Sequence, residues 1–264
     1  MGYFNNKSVL ITGAANGMGR AFVRALVQHG AKVGALDLDE AGLSELKDEL
    51  PDHTITTAIA DVTNASMLKS AIEEVEKANG PTDILIANAG IMRETSAVCF
   101  DLDLFNSEIQ VNLNGVANSI SAVLPGMLER RSGQLVAMSS IASYRGLPPF
   151  AGYSASKAAV RSLCDAFRIE LRPLGIRVTT LCPGTINTTI DNQLSHEIPK
   201  ALSADAAVKR MLSAIARRRT LYTFPMWQAC YVRLLRYLPI PISDWMVSRA
   251  MAKWKLSEKQ VRQS

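Results

Sequence analysis

Short apolar runs alternate along the chain with longer stretches in which apolar residues recur every three or four positions. The first run, residues 8–11, ends at Thr12-Gly13, and a helical pattern follows through Phe22, Leu26 and Val27 to Gly30. Further runs occupy residues 32–36, 54–60, 83–87, 134–138 and 177–181. Helical patterns fill the gaps, including a long one ending near Arg131 and another from Tyr153 to about Leu171. Most of the runs are continuously apolar, as strands covered on both faces are. Strand-helix alternation predicts a parallel sheet with right-handed crossovers. The expected fold is α/β: a three-layer, doubly wound, Rossmann-type sheet in a single domain with a helical C-terminal extension. Ligands of such a sheet bind beyond the carboxyl ends of its strands.

Length and composition agree with that reading. The chain has 264 residues, 48% of them hydrophobic and 20% charged, which suits a globular domain with a sizeable core. The net charge of +5 is unevenly placed. Residues 217–264 hold ten Lys/Arg against two Asp/Glu, a net +8, so the preceding 216 residues carry −3. The basic character belongs to the tail, and a nucleic-acid partner is not expected. The division follows: residues 1–216 form the sheet domain and 217–264 a basic, aromatic-rich extension. Cys99, Cys164, Cys182 and Cys230 are too scattered for a zinc site or disulfide framework. His29, His53 and His196 lack ligand spacing, so no metal is expected. The first residues, MGYFNNKSVLITG, do not resemble a secretory signal, and no apolar run reaches the length of a membrane span. A cytoplasmic protein is expected.

The most informative turn is TGAANGMG, residues 12–19, between the first strand and the first helix. Gly13, Gly17 and Gly19 let the backbone turn sharply and approach a ligand closely. The helix N-terminus beyond offers unpaired N–H groups and a positive dipole end to a pyrophosphate. The spacing G-x-x-x-G-x-G departs from G-x-G-x-x-G, but the strand-turn-helix-strand context points to a dinucleotide. Asp37 closes the second strand, 18 residues after Gly19. Its carboxylate can accept bonds from the two ribose hydroxyls and would repel a 2′-phosphate, so NAD is preferred over NADP.

Together with that turn, six further motifs follow in order: ADV (60–62), ANAG (87–90), VNLNG (111–115), MSS (138–140), YSASK (153–157) and PGTINT (183–188). The set resembles the short-chain dehydrogenase/reductase family over residues 7 to about 190. The resemblance implies a cofactor site built from Gly13, Asn16, Gly17, Met18, Gly19, Asp37, Asp61, Val62, Asn88, Ala89, Gly90, Tyr153, Lys157, Pro183, Gly184, Ile186 and Thr188. Ala87 replaces the first Asn of the family's N-N-A-G. The resemblance also implies a catalytic set of Asn112, Ser140, Tyr153 and Lys157. Lys157 then also bonds the nicotinamide ribose, and Asn112 holds a water that continues a proton relay from Lys157.

The residue types suit that chemistry. Tyr153 and Lys157 are an i,i+4 pair on one helical face. A free tyrosine titrates near pH 10, and an ammonium within about 4–6 Å lowers such a pKa by roughly 1–3 units. Tyr153 can then take a proton from an alcohol, or give one to a ketone. Ser140, 13 residues upstream, can hold the substrate oxygen against it. A serine-hydrolase elbow G-x-S-x-G is absent.

Substrate is expected to meet residues 91–94, 141–150 and the loop after Pro183-Gly184. Tyr144, Leu147 and Phe150 make that lining apolar and favour a lipophilic secondary alcohol or ketone. Arg93 and Arg145 read as exposed rim residues. The 3-oxoacyl-thioester reductases are the second enzymatic reading, and a non-catalytic NAD-binding redox sensor recruited to membranes is the reading from another class. The short final strand and D-G-G-like terminus usual in the family are missing. All three tryptophans, Trp227, Trp245 and Trp254, lie instead in the extension. Three readings of it stand: a lid, a subunit interface, or an anchor to a membrane surface. A homodimer through the helices near 101–131 and 153–172, or a homotetramer, is expected.

Overall fold

The apolar runs and the amphipathic stretches between them assemble as one alternating series. The computed structural model describes residues 2–50, 55–187 and 202–250. In chain order the elements are β1 (Ser8–Thr12), α1 (Gly17–Gln28), β2 (Lys32–Asp37), α2 (Glu40–Asp48), β3 (Ile55–Ile59), α3 (Ala65–Asn79) and β4 (Ile84–Ala87). Then come α4 (Leu102–Ile109), α5 (Gly115–Arg130), β5 (Gly133–Met138), α6 (Ala151–Leu171) and β6 (Ile176–Pro183). The series ends with β7 (Ile186–Asn187), β8 (Leu202–Ser203), α7 (Ala204–Ala216), β9 (Leu221–Phe224), α8 (Met226–Tyr237) and α9 (Ile240–Ala250). Thr188, His53, His196 and Trp254 lie outside the described residues.

Seven strands form one parallel sheet in the order β3-β2-β1-β4-β5-β6-β9. The winding reverses between β1 and β4, which opens a crevice at their carboxyl ends. Because side chains alternate across a strand, β1 feeds two cores. Val9 and Ile11 pack with Phe22 and Leu26 of α1 and with Met211 and Leu212 of α7. Leu10 points the other way, toward Leu68 and Ile72 of α3 and Ile120 and Val123 of α5. Helices on both faces make the three layers that the apolar pattern predicts.

Four helices begin with a side-chain cap: Asp39, Asn64, Asp101 and Ser203 each accept a hydrogen bond from a backbone N–H of the first turn of α2, α3, α4 and α7. Each cap is worth about 1 kcal/mol. The two helices that flank the crevice differ. Neither Asn16 before α1 nor Phe150 before α6 caps its own helix with a side chain.

Two expectations need correction. The final short strand is present. Leu221–Phe224 pairs in parallel with Thr180–Pro183, so the sheet continues past residue 216 and the extension beyond it starts at Pro225. Three arginines precede this strand and an aromatic-rich segment follows it, which hides a four-residue edge strand in the sequence. The long helix near 101–131 is also interrupted. Gln110–Asn114 forms one wide π-helical turn between α4 and α5, with Asn112 buried inside it.

Candidate active site

The crevice beyond β1 and β4 is a cavity of about 300 Å³. Gly13, Asn16, Gly17, Met18, Asp37, Asp61, Val62, Asn88, Ala89 and Gly90 line it, all of them expected from sequence. Leu38, Ala60, Ile91 and Val111 line it as well. Ala60, Ile91 and Val111 belong to the stretches 60–62, 91–94 and 111–115 already marked in the sequence, and Leu38 follows Asp37. Gly13 has a φ of +67°, and a side chain there would come within 2.7 Å of Ala89 Cα. At Gly19 a Cβ would lie 1.7 Å from the Gly13 carbonyl oxygen, so this glycine closes the turn rather than lining the cavity.

A second segment braces the turn. Asn88 Nδ2 donates to the carbonyls of Thr12 and Gly13 at 3.1 and 2.9 Å, and Thr12 Oγ1 accepts from the N–H of Asn88 at 3.2 Å. Asn88 Oδ1 is buried without a hydrogen-bond partner. Asp37 Oδ2 accepts from Ala15 N at 2.8 Å, and its Oδ1 accepts from Asp39 N at 3.1 Å. Asp61 is used locally, accepting from the N–H and hydroxyl of Thr63, both at 2.8 Å. Arg20, the cation next to this turn, is neutralised by Glu45 at 3.2 Å and by Glu49, which also pairs with Arg24 at 2.6 Å. The Asp37 charge therefore stands beside the cavity without a guanidinium to offset it. A glycine-rich turn, an uncapped helix N-terminus, a buried acceptor lacking a donor and an acid at the strand end fit a dinucleotide.

The second group of residues meets at the ends of β5 and α6. Lys157 is buried, and its Nζ donates to the carbonyl of Met138 at 3.0 Å. That ammonium lies 5.8 Å from the centre of the Tyr153 ring. Burial lowers the Lys157 pKa from 10.5 to about 8. A Cβ placed on Gly90 would be 3.0 Å from Asn112 Oδ1 and 3.2 Å from Lys157 Nζ, so both polar ends face the same small space. Asn112 accepts from Ile91 N at 2.8 Å and donates from Nδ2 to Ile91 O at 2.9 Å and to Ser156 Oγ at 3.0 Å. The wide turn is what aims it inward. Ser140 sits at the end of β5, nearly buried, with its Oγ accepting from Ala142 N at 3.2 Å.

One contributor was not foreseen. Glu108 of α4 is fully buried and accepts from the backbone N–H of Arg93 at 2.8 Å and from that of Tyr153. Thr95 Oγ1 reaches the same carboxyl at 3.5 Å and accepts from Gly152 N at 2.8 Å. The N-terminus of α6 is thus capped from another helix, which fixes the backbone that carries Tyr153. Burial raises the Glu108 pKa above its ordinary 4.5. No spacing in the sequence marks this pair of residues.

The expected substrate lining is revised. Phe150 is buried, and Tyr144 donates to or accepts from Thr223 Oγ1 at 2.8 Å with the Arg161 guanidinium 4.3 Å from its ring centre. Leu147 stays partly exposed, and Arg145 pairs with Asp244 of α9. Pro183, Gly184 and Ile186 do not line the cavity. Ile186 is buried, and Gly184 lies against α8, where Gln228 Oε1 accepts from Thr185 N at 3.3 Å.

The sheet, the glycine turn and the Tyr153–Lys157 helix define an oxidoreductase of known type. Residues 7–199 match the short chain dehydrogenase family, and the chain belongs to it. An uncharacterized oxidoreductase of Myxococcus xanthus is 33% identical over 92% of this chain and 97% of its own. The crystal structure of a short chain dehydrogenase/reductase from Burkholderia phymatum in complex with NAD is 26% identical, with a TM-score of 0.83, and covers 89% of this chain and 94% of that one. A 3-ketoacyl-(acyl-carrier-protein) reductase from Brucella melitensis, solved with NADH, is 27% identical with a TM-score of 0.76, over 83% of this chain and 95% of that one.

Proposed function

We propose that the protein is an NAD-dependent oxidoreductase that interconverts a lipophilic secondary alcohol and its ketone. The observation that carries this reading is the buried Lys157 ammonium, fixed to the end of β5 and 5.8 Å from the Tyr153 ring. A bound nicotinamide supplies hydride acceptance or donation at the substrate carbon. Gly13, Asn16, Gly17, Met18 and the N-terminus of α1 hold the pyrophosphate, and Asp37 holds the adenosine ribose. NAD is favoured over NADP because the Asp37 charge has no partner that would accept a 2′-phosphate.

Tyr153 takes the hydroxyl proton in oxidation and returns it in reduction. Lys157, charged at neutral pH, stabilises the phenolate that forms. Ser140 holds the substrate oxygen within reach of Tyr153. Asn112 fixes the segment that starts at Ile91 and extends the proton path from Lys157. The apolar character of the substrate is supported by Ile91 in the cavity wall and by the partly exposed Leu147.

A panel of alcohols and ketones, read by cofactor absorbance with NAD and with NADP, tests both substrate class and cofactor. The Tyr153→Phe variant should lose about 10²-fold or more in turnover. Turnover of any substrate by that variant at the wild-type rate refutes the mechanism. Likeness to the Brucella reductase favours 3-oxoacyl thioesters as a second substrate class, so the panel includes one.

A further inference from the structure

The last two helices carry apolar residues on two sides, and the fold uses only one. On α8, Ala229, Val232 and Leu235 are buried. At about 100° per residue, Met226, Trp227, Cys230, Leu234 and Tyr237 fall in a different arc, about 100° wide. All five are exposed. Arg233, also exposed, stands between the two arcs, and the exposed Arg236 falls at the angle of the buried residues in the last turn of the helix. On α9, Ser243 and Val247 are buried, while Ile242, Trp245 and Arg249 are exposed on the opposite side. The Arg249 guanidinium lies 5.7 Å from the Trp245 ring centre. Trp227, Tyr237 and Trp245 are 63%, 84% and 62% exposed, whereas large aromatics are ordinarily well buried.

We propose that this helical hairpin is a docking surface for an anionic lipid bilayer. No described helix is long and apolar enough to cross a membrane, so the hairpin lies on the surface. Tryptophan and tyrosine side chains prefer the headgroup level, where an apolar body and a polar edge are both satisfied. The charge is complementary to anionic lipid. On the two helices Arg233, Arg236 and Arg249 stand against a single acid, Asp244, which is already paired with Arg145. A second copy of the chain is a poorer occupant, because a two-fold contact through this face sets arginines against arginines. The surface stands apart from the reaction proposed above, and its test uses no turnover.

The full chain is floated with vesicles of phosphatidylcholine alone or mixed with phosphatidylglycerol. It is expected to rise with the anionic vesicles and to stay at the bottom with the neutral ones. Trp227→Ser combined with Trp245→Ser, and separately Arg233→Glu with Arg236→Glu, should each weaken binding about tenfold or more while circular dichroism is unchanged. Failure of the wild type to rise with anionic vesicles, or equal flotation with neutral ones, overturns the proposal whether or not the variants fold. So does wild-type flotation of the folded variants. A wild-type oligomer that these substitutions dissolve, seen by ultracentrifugation without lipid, assigns the face to a subunit interface instead.

Discussion

Lys157→Met should move stability and activity in opposite directions. The Lys157 ammonium is buried, and its pKa falls from 10.5 to about 8 on folding. Below pH 8 both folded and unfolded chains hold the proton, so the folded state bears the full cost of burying a charge. The interval from 10.5 to about 8 corresponds to roughly 3 kcal/mol, at about 1.4 kcal/mol per pH unit. Methionine keeps the length of the side chain and removes the charge. It also strands the Met138 carbonyl that Nζ bonds at 3.0 Å, which costs about 1–2 kcal/mol. The variant should therefore be more stable by about 1–2 kcal/mol at neutral pH, a rise of a few degrees in Tm for a chain of this size. The pH dependence has a definite sign. A folded pKa below the unfolded one means that wild-type stability climbs as pH rises from about 8 to 10.5. The advantage of the variant then shrinks, vanishes between those two values and gives way near the upper one to a deficit of about 1–2 kcal/mol from the lost Met138 hydrogen bond. Thermal melts of both proteins from about pH 7 to about pH 10, followed by circular dichroism, measure this. Turnover of Lys157→Met should meanwhile fall by about 10²-fold or more. A variant less stable than wild type at neutral pH, or a gap that does not close with pH, would refute the reasoning.

Other substitutions test other parts of the site. Glu108→Ala leaves the N–H groups of Arg93 and Tyr153 without their acceptor and should cost about 3–5 kcal/mol in urea unfolding. Because burial raises the Glu108 pKa, its contribution is complete below 4.5 and is lost as pH rises through the folded value, so Glu108→Gln should gain on wild type over that range. Asp37→Asn removes the charge that repels a 2′-phosphate, and calorimetric titration should show selectivity for NAD over NADP falling by about tenfold or more. Phe22→Ala opens a cavity in the core between α1 and the sheet and should cost about 3–5 kcal/mol by denaturant titration.

The five inner strands were legible because a strand buried on both faces is an unbroken apolar block, whereas the edge strand β3, ITTAI with one buried residue, was placed by the helical patterns on either side of it. β1, for instance, is buried at all five positions. The seventh was not, since Leu221 and Tyr222 are only partly buried and three arginines precede them. The π-helical turn escaped notice for a different reason. One extra residue in a turn scarcely alters the apolar spacing of the helices on either side. In the site, the glycine turn and the Tyr153–Lys157 pair were readable because their partners are close in sequence. Glu108 and Thr95 act on the start of α6 from elements more than forty residues upstream, and no local pattern records that contact. Apolar composition announced Tyr144 and Phe150 as a substrate lining. Composition does not say which side of a loop faces inward, and both side chains turned toward protein.

The hydrogen bond from Thr185 N to Gln228 Oε1 has a practical consequence for experiments on α8 and α9. The same helix that exposes Trp227 and Tyr237 also shields the sheet through Ala229, Val232 and Leu235 and steadies the loop after Pro183. Cutting the chain at Pro225 would strip the cover from β9 and release that loop at once, and the resulting defects could not be attributed to either loss. The hairpin is structural masonry as well as outer surface. Only point changes on its outward side can separate where the enzyme resides from how it turns over.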